Sequence, residues 1–210
     1  MKPFGYELSS LKSSLIDRAL HASLGLPDIR SRMRSPAVFK ILRVGEGGVV
    51  LDAGSGVGLY GLRLSPSSSA VVCLDASRGQ VLRGAKLARL HEALNVHFVV
   101  GDVGHLPLRS SCLDAALCLE VLEHLGNWRA ALAELSRVLR RCSRLVLSTP
   151  HVSLLRPGLF KRGLASYLEA VRGQHRRVGF KASELLSYLR SLGFKAEARL
   201  VGGSPGRLLW

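Results

Sequence analysis

Four acidic residues each close an apolar run. Asp52 follows VVL, Asp75 follows AVVCL, Asp102 follows VHFVVG, and Glu120 follows LDAALCL. Around the first of them glycine is concentrated, in Asp52-Ala53-Gly54-Ser55-Gly56-Val57-Gly58-Leu59-Tyr60-Gly61. A chain places glycine where backbone turns tightly or a ligand comes close. A second group reads Glu120-x-x-Glu123-His124, and His175 follows 51 residues after His124. Carboxylates gathered round one crevice welcome a positive ligand and repel phosphate. Two carboxylates with one or two imidazoles also suit proton transfer, or a hard-to-borderline divalent ion.

Elements that could bring these residues together follow from the hydropathy pattern. Short apolar strands are predicted over 49–52, 70–75, 96–100, 113–119, 143–148 and 194–201, with amphipathic helices near 58–64, 78–92, 128–140 and 183–192. Ahead of them, Leu11, Leu15, Ile16, Leu20 and Leu24 keep a helical period, and Ser35-Pro36 opens a second helix that runs to Gly45. Near-continuous apolar strands alternating with helices give an α/β chain: a doubly wound, mostly parallel sheet in a three-layer α/β/α arrangement. Ligands of such sheets lie beyond the carboxyl ends of the strands, where the strand order reverses. The four acids stand at those ends.

The literal G-x-G-x-x-G at 56–61 suggests a dinucleotide, but it starts too late after the strand. Counting from Gly54 in the proper register gives Gly54, Gly56 and then Leu59, so the third glycine is missing. Asp52 would also set a negative charge beside the pyrophosphate. A ligand with a cationic end fits better. Asp52-x-Gly54-x-Gly56-x-Gly58 resembles the first motif of class I S-adenosylmethionine (SAM)-dependent methyltransferases, and Asp75, 23 residues on, matches the family's ribose-binding acid. Gly101-Asp102-Val103-x-x-Leu106-Pro107 is similar to the loop that contacts adenine. Leu113-Asp114-x-x-x-Cys118-x-Glu120-Val121-Leu122-Glu123-His124 is similar to the fourth strand and following helix of the type 11 (ubiquinone/menaquinone-biosynthesis-like) group. The resemblance covers about residues 40–150 in order and spacing.

It implies the Rossmann-like methyltransferase fold and SAM as cofactor. Asp52 with Gly54, Ser55, Gly56 and Gly58 would hold the amino-acid end, Asp75 and Ala76 the ribose, and Asp102 and Val103 the adenine; Glu120 would border the reacting methyl. For several of these a plainer reading stands beside the functional one. Gly58 and Gly61 also suit helix–strand packing, Asp75 a strand-end cap, Asp102 a turn, and Asp114 a surface or turn position.

Methyl transfer from a sulfonium needs alignment and exclusion of water, and a base only where the acceptor must lose a proton. Catalytic candidates are therefore few: Glu120, His124 and His175, with His151 nearby. Glu120, Glu123, His124 and His175 are similar to the E-x-x-E-H arrangement of ubiquinone-biosynthesis O-methyltransferases and to small-RNA 2′-O-methyltransferases, where a later histidine completes a divalent-metal site. The same E-V-L-E-H also occurs in methyltransferases without a metal.

The 210 residues suit one domain: N-terminal helices over 1–45, a SAM-binding core over 46–150, a basic acceptor cap over 151–182, and a last helix with an edge strand over 183–210. The net charge of +15 is uneven. Residues 46–150 carry 11 Lys and Arg against 9 acids, whereas residues 1–45 carry 8 against 3 and residues 151–210 carry 11 against 3. Basic flanks suit an anionic partner, or only a solvated surface. The acceptor classes open here are a small or lipid-like metabolite and RNA, with peripheral membrane contact as a further use of the cap; a noncatalytic subunit of the same fold and an NAD-linked reductase are the other readings. Aromatic residues are 6% of the chain and no RNA-binding module is visible. No apolar stretch reaches membrane-spanning length. Cys73 and Cys118 lie in apolar runs, as buried thiols of a reducing cytoplasm. Too few residues follow the sixth strand for a full seventh, so a stub is expected there, or a tail docked elsewhere.

Overall fold

The computed structural model describes residues 37–42, 44, 47–150, 179–200 and 207–209. The expected helix over Leu11–Leu24 lies outside them, as do His151, His175 and nearly all of the expected cap. Residues 37–42 are helical, within the helix expected from Ser35-Pro36.

Strands β1 (Gly48–Ala53), β2 (Ser68–Asp75), β3 (Val96–Val100), β4 (Leu113–Leu119) and β5 (Leu139–Pro150) form a parallel sheet, and β6 (Arg199–Leu200) and β7 (Arg207–Leu209) add an antiparallel edge. Between them run helices α1 (Leu59–Leu64), α2 (Arg78–Leu90), α3 (Trp128–Val138) and α4 (Ala182–Ser191). The order across the sheet is β3-β2-β1-β4-β5-β7-β6, so the chain reverses its direction of travel between β1 and β4. A crevice opens there, beyond the carboxyl ends of the strands.

Strand side chains alternate between two apolar layers. Leu51, Ala53, Leu74, Ala116 and Leu147 pack on one face with Trp128, Leu132 and Leu135 of α3 and Leu185 and Leu189 of α4. Val50, Val71, Cys73, Leu117 and Val146 pack on the other face with Leu62 and Leu64 of α1, Ala88 of α2, and Val38 and Leu42. This is the three-layer α/β/α architecture expected. Trp128, Phe180 and Tyr188 join α3 to the start of α4 edge to face, with ring centroids 5.4 and 5.3 Å from that of Trp128. Ser77 and Asn127 cap α2 and α3 by accepting from the amides of Gln80 and Ala130.

Two boundaries differ from the sequence reading. Helix α3 ends at Val138 because Leu139 already pairs with Leu113; the chain then makes an excursion, with Cys142 at φ 63°, before Arg144 pairs with Ala115. The sixth strand shrinks to Arg199–Leu200, since Phe194 is drawn back to close α4 by donating its amide to the Leu189 carbonyl at 3.1 Å. The seventh strand is a three-residue stub, which pairs with Ser148–Pro150. Asp114 is a surface position, as one of its two readings had it, but not a turn. It lies in β4, accepts from the Val49 amide at 2.8 Å, and pairs with Arg140. Cys73 and Cys118 are buried free thiols, with burial pushing both up. No helix among the described residues is long and apolar enough to cross a membrane.

Candidate active site

The turn after β1 is built against its neighbours. Gly54 sits at φ 72°, and a Cβ there would overlap the side chain of Val121. Gly58 and Gly61 let α1 lie directly on the sheet: a Cβ on Gly58 would come 2.6 Å from Phe98 Cζ, and one on Gly61 would overlap Cys73 Sγ. The packing reading of these two glycines is therefore what the structure shows. Four of the turn's amides are already committed. Gly54 and Ser55 donate to the Leu74 carbonyl at 2.7 and 3.0 Å, Gly56 donates to Asp75 Oδ2 at 2.8 Å, and Gly58 donates to the Ser55 carbonyl at 2.9 Å.

A cavity of about 360 Å³ opens over this turn, within the usual range for small-molecule sites. Gly54, Gly56, Asp75, Ala76, Asp102, Val103 and Glu120 line it, all of them expected from sequence. Ser77, Gln80, Gly101, Val121, His124 and Leu125 complete its wall. Its charged side chains are Asp75, Asp102 and Glu120, and none of the described lining residues is Lys or Arg. Asp75 Oδ1 accepts from the Ser77 amide at 2.8 Å, so its carboxylate bridges the turn and the start of α2. Asp102 accepts from the Gly104 amide at 2.8 Å and lies 3.3 Å from His105 Nδ1, and these two, the amide first, hold its carboxyl below the usual range.

At the end of β4, Glu120 has φ 57°, a left-handed backbone without glycine. Its amide donates to the Ser148 carbonyl at 2.8 Å, and its Oε1 accepts from the Ser148 hydroxyl at 3.0 Å. Strained backbone of this sort gathers at functional sites.

Asp52 stands elsewhere. It is buried behind the turn, on the Cys73 face of β1, and does not line the cavity. Its Oδ2 accepts from the Gly61 amide at 3.2 Å. Burial raises its pKa to about 7, against the pull of the Gly61 amide and with added repulsion from Asp75. Ser55 and Gly58 likewise support the turn without lining the cavity.

The E-x-x-E-H group is split. Glu123 turns into the core, where the Thr149 hydroxyl donates to it at 3.4 Å, while His124 is exposed on the cavity side. Among the described residues, no three His, Cys, Asp or Glu side chains are grouped to hold a metal ion. Sequence reasoning missed Ser148 and Thr149, both fully buried; their signal was two hydroxyls closing an apolar strand in line with the other strand ends.

The sheet order, the glycine turn and the acid at each strand end define the class I SAM-dependent methyltransferase fold. Residues 51–147 match the family described as "Methyltransferase domain". The chain is 35% identical over 112 residues to demethylmenaquinone methyltransferase of Mycobacterium tuberculosis, covering 52% of this chain and 45% of that one. It is 29% identical over 157 residues to ubiquinone biosynthesis O-methyltransferase of Xanthomonas oryzae, covering 72% and 64%. The match thus spans about half the length of the mycobacterial relative. In fold it is similar to a SAM-dependent methyltransferase from Aquifex aeolicus, with TM-score 0.66, 20% identity, and coverage of 87% of this chain and 92% of that one.

Proposed function

We propose that this chain is a SAM-dependent methyltransferase acting on a small, lipid-like acceptor of the quinone-precursor type. One observation carries the cofactor reading. The cavity presents three carboxylates, Asp75, Asp102 and Glu120, and no Lys or Arg among its described lining, over a turn that spends the amides of Gly54, Ser55, Gly56 and Gly58 within the protein. A dinucleotide needs amides and a positive field for its pyrophosphate; the charge of this lining has the opposite sign. A ligand bearing an ammonium, a sulfonium and a ribose diol finds acceptors at each position.

Asp75, at the end of β2, faces the ribose; Asp102 and Val103 border the adenine; Gly54, Gly56 and Glu120 bound the amino-acid end and the reacting carbon. Asp52 acts from behind, fixing the Gly61 amide in the first turn of α1 so that the turn keeps its shape. SAM supplies an activated methyl group, and the protein's part is to align the acceptor and keep water out. Glu120 and His124 share the cavity wall and are the groups able to accept a proton from a hydroxyl acceptor.

The acceptor class is supported by the quinone-pathway names of both relatives, over the aligned parts only. The test has two stages. Calorimetry should show S-adenosylhomocysteine (SAH) bound and NADH not bound; the reverse overturns the cofactor reading. Labelled methyl from SAM, incubated with fractionated host extract, should then appear in the organic-soluble fraction. Label in RNA or protein would replace the acceptor while keeping the methyltransferase.

A further inference from the structure

The loop that carries Asp102 and Val103 is gripped from outside the cavity by one pair of side chains. Glu134 and Arg137 lie one turn apart on α3. The Leu106 amide donates to Glu134 Oε2 at 2.8 Å, and Arg137 Nη2 donates to the Leu106 carbonyl at 3.1 Å. Both backbone groups of a single residue are thus taken by one ion pair. Arg137 Nη1 also donates to the Leu108 carbonyl at 2.9 Å and to the Ser110 hydroxyl at 3.3 Å. The pair itself is two-pronged, with Nε and Nη2 of Arg137 donating to the two oxygens of Glu134 at 2.7 and 2.8 Å.

An exposed helical pair one turn apart contributes little to stability by itself. Here both side chains are half-sheltered and their free donors and acceptors end on the main chain of a loop that has no strand beside it. Leu106 and Val103 are both buried in the same apolar layer, so fixing Leu106 from behind fixes Val103 at the cavity wall in front. We infer that Glu134 and Arg137 are positioning residues that set the adenosine side of the cavity. This rests on the cofactor reading above. Lysine could not replace Arg137, since a single ammonium cannot reach two carbonyls and a carboxylate in one plane.

The test compares Arg137→Ala and Glu134→Gln with Arg140→Ala, which breaks the Asp114 pair at the amino end of β4 without touching the loop of Val103 and Leu106. SAH and adenosine are titrated by calorimetry, and hydrogen exchange is followed at the Leu106 amide. Arg137→Ala should weaken both ligands by the same factor, about tenfold, and speed Leu106 exchange. Glu134→Gln keeps an acceptor for Leu106 and should cost about threefold; it carries the test if Arg137→Ala does not fold. Arg140→Ala should lower the melting temperature and leave both affinities within about twofold. Unchanged affinities in the two α3 variants, with faster Leu106 exchange, overturn the inference. So does an Arg140→Ala protein that loses affinity as much as Arg137→Ala. A native protein that binds neither ligand overturns the cofactor reading and this inference together.

Discussion

The two halves of the cavity rim hold their carboxylates by different means. Beyond β1, β2 and β3 every carboxylate accepts from a main-chain amide: Gly56 and Ser77 for Asp75, Gly104 for Asp102 (with the exposed His105 ring beside it), and Gly61 for Asp52 behind the turn. Beyond β4 and β5 the partners include side-chain hydroxyls, Ser148 for Glu120 at the rim and Thr149 for Glu123 in the core beneath it. A backbone donor survives any substitution at its own position that keeps the turn, whereas a hydroxyl is lost with one base change. The first half therefore suits the ligand that never varies, and the second half suits contacts that differ with the acceptor.

The comparison can be broken most directly at Gly54. Gly54→Ala forces a side chain into left-handed backbone and into Val121, which should remove measurable SAH binding and destabilise the fold by about 2–4 kcal/mol; full affinity in calorimetry would show that the turn is not a rigid wall. Next in size is Asp52. Its pKa of about 7 lies above the ordinary 3.8, so the folded chain holds this proton more tightly than the unfolded one. Its favourable contribution is complete below about pH 4, falls as pH rises, and is gone above about 7. Asp52→Asn should flatten that decline and gain up to about 3 kcal/mol at pH 8, read from denaturant melts across pH. Asp102, Asp114 and Glu134, all lowered, have the opposite sign and act below their ordinary values, so the two effects separate on the pH axis.

Asp75→Asn keeps an oxygen for the Gly56 amide but loses the acceptor of the Ser77 amide and the charge, and should weaken SAH about tenfold. An unaltered affinity would deny the ribose role and leave Asp75 a cap. Ser148→Ala, on the other half, is the smallest change: SAH affinity should stay within about twofold while the transfer rate falls about fivefold. A fall in SAH affinity equal to that of Asp75→Asn would erase the distinction between the halves.

Much of this rim could be read from the chain because apolar runs mark where strands stop, and an acid placed just after a run lands at the rim. The order of elements followed for the same reason. Direction was harder. For Asp52 it was readable but missed: it shares the parity of Val50 on β1, which sets it on the Cys73 face, away from the cavity. Glu120 gives no sign of its left-handed backbone, since that conformation is signalled by glycine. Glu134 and Arg137 look like any pair one turn apart on a helix, because the main-chain groups they hold belong to residues almost thirty positions earlier. The position of β7 between β5 and β6 depends on pairing partners far away in the chain.

The unusual torsion at Glu120 carries an evolutionary corollary. A glycine at that position would relax the backbone by about 1 kcal/mol, but it would also take the acceptor from the buried Ser148 hydroxyl, a loss of about the same size or larger. The acid therefore holds its own strained turn in place through Ser148, and robustness alone gives no drift toward glycine.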